Sequence, residues 1–211
     1  MNEAELIRAR ELKIARGRGF WVFGYGSLMW RPGFDYLEAR PALLHGYHRA
    51  FCVETTHYRG TPEKPGVVLG LDRGGACRGR VFRIAATHAQ KAARYLHERE
   101  LVTPIYEPRW LRVQTPQGPV RAVAYVVDRK NREYMGKLST ARVVSLIRQA
   151  RGVSGSNRDY LINTVRHLDK LGVPDGPLHR LLRLVEGRRK GWRQACAAAN
   201  PPAAASSAWA S

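Results

Sequence analysis

Up to about residue 139 the apolar positions fall in short runs, and beyond it they take helical spacing. Phe20-Trp21-Val22-Phe23 is a β-branched and aromatic run stopped by Gly24. Ala50 to Glu54, Gly66 to Leu71 and Cys77 to Ile84 read as further strands, with glycines at 74, 75 and 79 marking turns or bulges. Thr87 to Arg99 has helical spacing, with Thr87 at the N-cap position. Trp110 to Gln114 and Val120 to Val127 flank Thr-Pro-Gln-Gly, a hairpin signal. Then come three helical stretches, Ala141 to Ala150, Ser156 to Leu171 and Pro177 to Arg188, with Ser139 and Ser156 where caps belong. Strands first and helices after predict an α+β fold: a small mixed, barrel-like β core with flanking helices.

The ends differ from this core. Met1 to Gly19 reads as a charged helix with a weak apolar stripe of Leu6, Leu12, Ile14 and Ala15, loosely docked on the core. Gln194 to Ser211 is rich in Ala, Ser and Pro and reads as a disordered tail. The predicted organisation is a helical leader over 1–19, a domain over 20–192 and a tail over 193–211. The start lacks the apolar stretch of a signal peptide, and nowhere do 18 apolar residues run together, so no membrane partner is expected.

Composition adds one strong feature. Thirty-six Lys+Arg against 17 Asp+Glu give a formal net charge of +19 in 211 residues, which excludes an acidic solvating protein and invites a polyanion partner. Three widely spaced cysteines, Cys52, Cys77 and Cys196, with no Cys-x-x-Cys or Cys/His cluster, point to reducing cytoplasm and predict no metal site.

Three segments could carry chemistry. In Phe23-Gly24-Tyr25-Gly26-Ser27-Leu28 a strand ends in a loop with two glycines; Gly26 is free to take a positive φ, and the loop is either an anion-binding nest of backbone amides or a plain turn. It has neither the dinucleotide spacing nor a following Gly-Lys-Ser/Thr. In the helix ending His97-Glu98-Arg99-Glu100, Glu98 belongs with Arg94 on the solvated face, while Glu100 sits beside Leu101 and Val102. A partly desolvated Glu100 suits general acid/base work; the bland alternative is a surface ion pair with Arg99. His57 to Gly66 is a loop shaped by two prolines and two glycines, in which Arg59 either grips a carboxylate or is simply solvated.

With these segments in view, the sequence resembles the ChaC family of γ-glutamylcyclotransferases. WVFGYGSLMWRP (Trp21 to Pro32), GYHRAF (Gly46 to Phe51), HYRGTPEKPG (His57 to Gly66), RELVTPIYEPRWL (Arg99 to Leu111) and GSNRDYLINTVRHLDKLG (Gly155 to Gly172) are similar to that family's signatures, in order, over about Phe20 to Val185. The resemblance implies a barrel-like core and conversion of γ-glutamyl peptides, chiefly glutathione, into 5-oxoproline and Cys-Gly without a cofactor or metal. It implies Glu100 as the catalytic carboxylate and Val22, Phe23, Gly24, Tyr25, Gly26, Ser27 and Leu28 as the substrate loop. Thr103-Pro104 departs from the Thr-Gly of many bacterial relatives. Tyr25, Tyr106 and Tyr125 are possible hydroxyl donors, Tyr106 foremost. Arg59 is expected, on chemical grounds, to meet the glycine carboxylate of glutathione.

Two other functions remain compatible with the sequence. The arginines of Leu178 to Arg193 give a basic amphipathic helix suited to nucleic acid or an anionic surface, although no nucleic-acid fold signature accompanies it and nucleic acid is not the expected partner. A regulatory protein that kept the fold without activity is the other; an intact YGSL and Glu100 argue against it. The sequence leaves the oligomeric state open.

Overall fold

The computed structural model describes residues 2–173 and 175–187. The predicted tail and residues 188–193 of the basic helix lie outside the described residues. The chain divides into two compact units, one of residues 1–54 with 68–137, the other of residues 55–67 with 138 onward.

The first unit is a mixed five-stranded half-barrel. Its strands are β1 (Phe20–Gly24), β2 (Glu38–Thr55), β3 (Gly66–Ile84), β4 (Tyr106–Val113) and β5 (Val120–Val127), in the spatial order β2-β3-β1-β5-β4. β1 is central. It runs antiparallel to β3, with Val22 opposite Phe82, and parallel to β5, with Val22 opposite Val123. β4 and β5 form the expected hairpin, closed by a turn in which Thr115 and Gly118 exchange backbone bonds. A bridge between Leu43 and Gln114 links β2 to the end of β4 and curls the sheet toward closure.

Two expectations change here. Gly66–Leu71 and Cys77–Ile84 belong to one 19-residue strand, because Gly74 (φ 101°) and Gly75 (φ 68°) bend the backbone without ending its pairing. The run at Ala50–Glu54 is the end of an 18-residue strand that begins at Glu38. Its first half alternates polar and apolar side chains too weakly for a short-window pattern to register.

Period-2 alternation in β1 gives the sheet two apolar faces. Phe23, Leu44, Leu71, Val113, Ala122 and Ala124 fill the concave side. Phe20, Val22, Ile84, Val123 and Tyr125 form the other face and pack against α2 (Ala89–Glu100) through Ala92, Ala93 and Leu96. Thr87 does not cap α2. It lies in a 3-10 turn, Ala86–His88, that leads into the helix.

The leader is helical only over α1 (Glu3–Ala9), which Asn2 and Glu5 start with a reciprocal capping box. From Arg10 the chain leaves the helix, and Leu12 is buried among the residues of the α2 face, with Ile7 and Ile14 packed against them. Residues 10–19 are irregular chain where a helix was expected, anchored to the core by Leu12 and Ile14.

The second unit holds the 55–67 loop, a hairpin of β6 (Arg151–Gly152) and β7 (Gly155–Ser156), and the helices α3 (Thr140–Gln149), α4 (Asn157–Lys170) and α5 (Gly176–Glu186). Ser139 and Ser156 accept from Arg142 N and Asp159 N, as caps should. The fully buried Asn157 side chain accepts from Val67 N (2.7 Å) and donates to Val67 O (2.9 Å). Among the described residues no helix is long and apolar enough to cross a membrane.

Candidate active site

The carboxyl end of β1 and the carboxyl end of α2 meet in the first unit. β1 stops at Gly24 and the chain passes through Tyr25 and Gly26 into a 3-10 turn, Ser27–Leu28–Met29. Met29 N donates to Gly26 O and Arg31 N to Ser27 O, both at 2.9 Å. A helical start leaves its first amides without preceding carbonyls, so those of Gly26, Ser27 and Leu28 have no intrahelical acceptor.

Val22, Phe23, Tyr25 and Leu28 are buried core side chains. Gly24 and Gly26 are buried as well, and within Val22 to Leu28 Ser27 alone is half-buried. Gly26 does not take a positive φ; its angles are φ −127° and ψ −133°. A Cβ built on it would meet no atom within 4 Å, so its missing side chain faces an opening, whereas one on Gly79 would run into the Gly24 carbonyl and the Phe23 ring.

The expected nest is braced by a residue to which the sequence lent no role. The Arg49 guanidinium donates to the carbonyls of Tyr25 (2.5 Å) and Arg78 (2.7 Å), which pins the loop to β3. Arg49 lies inside the GYHRAF segment, but nothing in its own spacing announces a partner 24 residues away.

Glu100 is the last residue of α2, followed by the buried Leu101. Its side chain is 17% exposed. Burial pushes its carboxyl above the ordinary glutamate value, and the Arg99 guanidinium works against that. Glu98 and Arg94 are both exposed, as the helix spacing predicts.

Arg99 ties the parts together. Its Nε lies 3.1 Å from Glu100 Oε1. Its Nη2 donates to Ser27 Oγ at 2.9 Å, and its Nη1 to the Arg31 carbonyl (2.6 Å) and the Tyr95 hydroxyl (2.9 Å). The ion pair considered for Glu100 therefore exists, but its two side chains are only 19% and 17% exposed, and it links the carboxylate to the loop.

The tyrosines separate. Tyr106 donates its hydroxyl to the Leu69 carbonyl at 2.9 Å and is thereby held on the barrel wall. Tyr125 is 1% exposed and its hydroxyl has no hydrogen-bond partner among the described residues. Burial drives its phenol far above the ordinary value, and the Glu100 charge adds to the effect, which sets the two groups in one electrostatic neighbourhood. Arg59 belongs to the second unit, where it donates to the carbonyls of Ser154 and Ser156 and stacks on Tyr160 at 5.5 Å.

This half-barrel is the fold of the γ-glutamylcyclotransferases. A crystal structure of a glutathione-specific γ-glutamyl cyclotransferase from yeast superposes with a TM-score of 0.74 at 24% identity, covering 82% of this chain and 97% of that one. The chain belongs to the ChaC family: the family model described as ChaC-like protein matches residues 20–188. Among its relatives is the glutathione-specific γ-glutamylcyclotransferase of Escherichia coli (strain K12), 36% identical over 79% of this chain and 72% of that protein. The glutathione-specific γ-glutamylcyclotransferase 1 of Homo sapiens is 33% identical over 80% of this chain and 78% of its own length.

Proposed function

We propose that this protein is a glutathione-specific γ-glutamylcyclotransferase, a lyase that splits glutathione into 5-oxoproline and Cys-Gly and so serves glutathione catabolism. One observation carries the assignment of roles: Glu100 is a half-buried carboxylate with a raised pKa, joined through Arg99 to the Gly26-Ser27 loop.

The substrate's α-amine attacks its own γ-carbonyl. A C–N bond closes the five-membered lactam, and the C–N bond to cysteine breaks. The amine is protonated at neutral pH and must lose a proton, while the departing nitrogen must gain one. Glu100 takes the first and returns it to the second, a task that favours a carboxyl tuned upward toward neutral pH. Ring closure is intramolecular, so holding the chain folded supplies much of the acceleration. In this reading the backbone of Val22, Phe23, Gly24, Tyr25, Gly26, Ser27 and Leu28 forms the substrate cradle. The amides of Gly26 and Ser27, which have no intrahelical acceptor, take either the α-carboxylate or the developing oxyanion.

Arg99 keeps Glu100 aimed and partly ionised. The unpartnered Tyr125 hydroxyl is the better candidate donor to the reacting groups. Tyr106 shapes the wall. Arg59 is retained as the partner of the glycine carboxylate on the chemistry of its fork alone. A cytoplasmic location fits a thiol substrate and the buried Cys52 and Cys77.

The test is direct: purified protein is mixed with glutathione, and 5-oxoproline and Cys-Gly are followed. Stoichiometric appearance of both establishes the reaction. Release of glutamate in place of 5-oxoproline, or no turnover, refutes it.

A further inference from the structure

We infer that the N-terminal segment completes the active site, with Arg10 as a positioning residue for the stretch that follows Glu100. The inference rests on the cyclotransferase reading. It concerns residues that precede the 20–188 stretch matched by the family model.

Four acceptors from two parts of the barrel converge on the Arg10 guanidinium. Nη1 donates to the carbonyls of Pro104 and Tyr106, and Nη2 to the carboxylates of Asp128 (2.5 Å) and Glu107 (3.3 Å). The side chain is only 10% exposed. A planar fork with five donors can serve this many acceptors; a point charge cannot.

The stretch it grips needs an external brace. Between the end of α2 at Glu100 and the start of β4 at Tyr106, residues 101–105 belong to neither helix nor sheet. Asp128 N donates to Ile105 O at 2.8 Å, and Thr103 donates its hydroxyl to Glu133 at 2.8 Å. Arg10 adds the hold on Pro104 through its carbonyl contact. Two residues on, Leu12 is buried in the cluster that contains Leu28, Leu96, Leu101 and Tyr125. The leader therefore grips the Glu100 segment through Arg10 and shares one core cluster with Leu101 and with Leu28 of the loop. Freed of that brace, the stretch lets the end of α2 fray, and with it the aim of the Glu100 carboxylate.

The experiment compares steady-state kinetics on glutathione, below the melting transition of each protein, for wild type, Arg10→Met and Asp128→Asn. Arg10→Met keeps the apolar stem and removes the fork. Asp128→Asn removes an ion pair and leaves the carbonyl contacts. Arg10→Met is expected to lower kcat by about tenfold or more, with KM changed by less than about twofold, because a misaimed base slows chemistry without weakening the grip. Asp128→Asn is expected to leave kcat within about twofold of wild type. Should Arg10→Met fail to fold, Arg10→Lys takes its place: it keeps the charge against Asp128 but cannot span both carbonyls, and kcat again falls several-fold. Unchanged kcat in the Arg10 variant overturns the proposal, as does an equal fall in Asp128→Asn or a change in KM alone. Absence of turnover in wild type refutes the cyclotransferase reading itself, which keeps the two failures apart.

Discussion

Arg99 Nη2 lies 2.9 Å from Ser27 Oγ, while the same guanidinium sits 3.1 Å from the Glu100 carboxylate. One side chain thus joins the loop after β1 to the last residue of α2. The proposed substrate cradle and the candidate base are linked by a single planar group, so disturbing either end of the link reaches the other.

Glu100→Gln is expected to reduce 5-oxoproline release by at least about 10²-fold, since the amide cannot accept the ammonium proton. Its effect on stability has the opposite sign. The folded carboxyl titrates above its unfolded value, so its stabilising contribution is full below the unfolded pKa and is lost as pH rises through the folded one. Glutamine imitates the neutral acid, and the variant should melt no lower than wild type at pH 7. Glu98→Gln, on the exposed face, should match wild type in both measurements. Near-normal activity of Glu100→Gln would end the assignment.

Arg99→Gln removes the charge that opposes the upward shift of Glu100. The acid limb of the kcat/KM profile should therefore move to higher pH, with a loss on the order of tenfold at the optimum from misalignment. A profile that moves down, or does not move, would contradict the electrostatic account of the pair.

Gly26→Val and Ser27→Ala should separate kinetically. A Cβ at 26 meets no protein atom within 4 Å and the φ is negative, so melting should change little, by about 0.5 kcal/mol or less. The valine fills the opening before the loop and should raise KM. Ser27→Ala removes an acceptor of Arg99, worth about 1 kcal/mol, and should lower kcat roughly fivefold with little change in KM. The same signature from both variants would show that the loop does not grip by its backbone.

Removal of residues 194–211 should leave turnover unchanged, because the family match ends at residue 188. Neutralising Arg188, Arg189 and Lys190 should also spare it at moderate salt, where any steering of anionic glutathione is screened. Retention on DNA should fall steeply with salt and show no sequence preference. Collapse of turnover in the triple variant at every salt concentration would tie the basic segment to the site.

The sequence by itself determined the order of most elements, the α+β class and the two ends of the site. Those features are local. A strand stopped by Gly24, a hairpin around Thr-Pro-Gln-Gly, Ser139 and Ser156 as caps, and the split of Glu98 from Glu100 all follow from period and from chemistry within a few residues. The family motifs carried the choice of Glu100 over its neighbours. Only the tertiary structure decided what depends on contact across the chain. The bend at Gly74 and Gly75 kept β3 whole because β1 pairs with its far half. Gly26 proved to have a negative φ and open space where a Cβ would stand, and the space is a property of what surrounds the loop. Arg49, Arg99 and Arg10 could not be told from other arginines in a chain of formal charge +19, because a guanidinium takes its meaning from the carbonyls and carboxylates that folding brings to it. Folding also gave Tyr106 and Tyr125 different surroundings: one hydroxyl meets the Leu69 carbonyl, and the other is buried near Glu100 with no partner among the described residues.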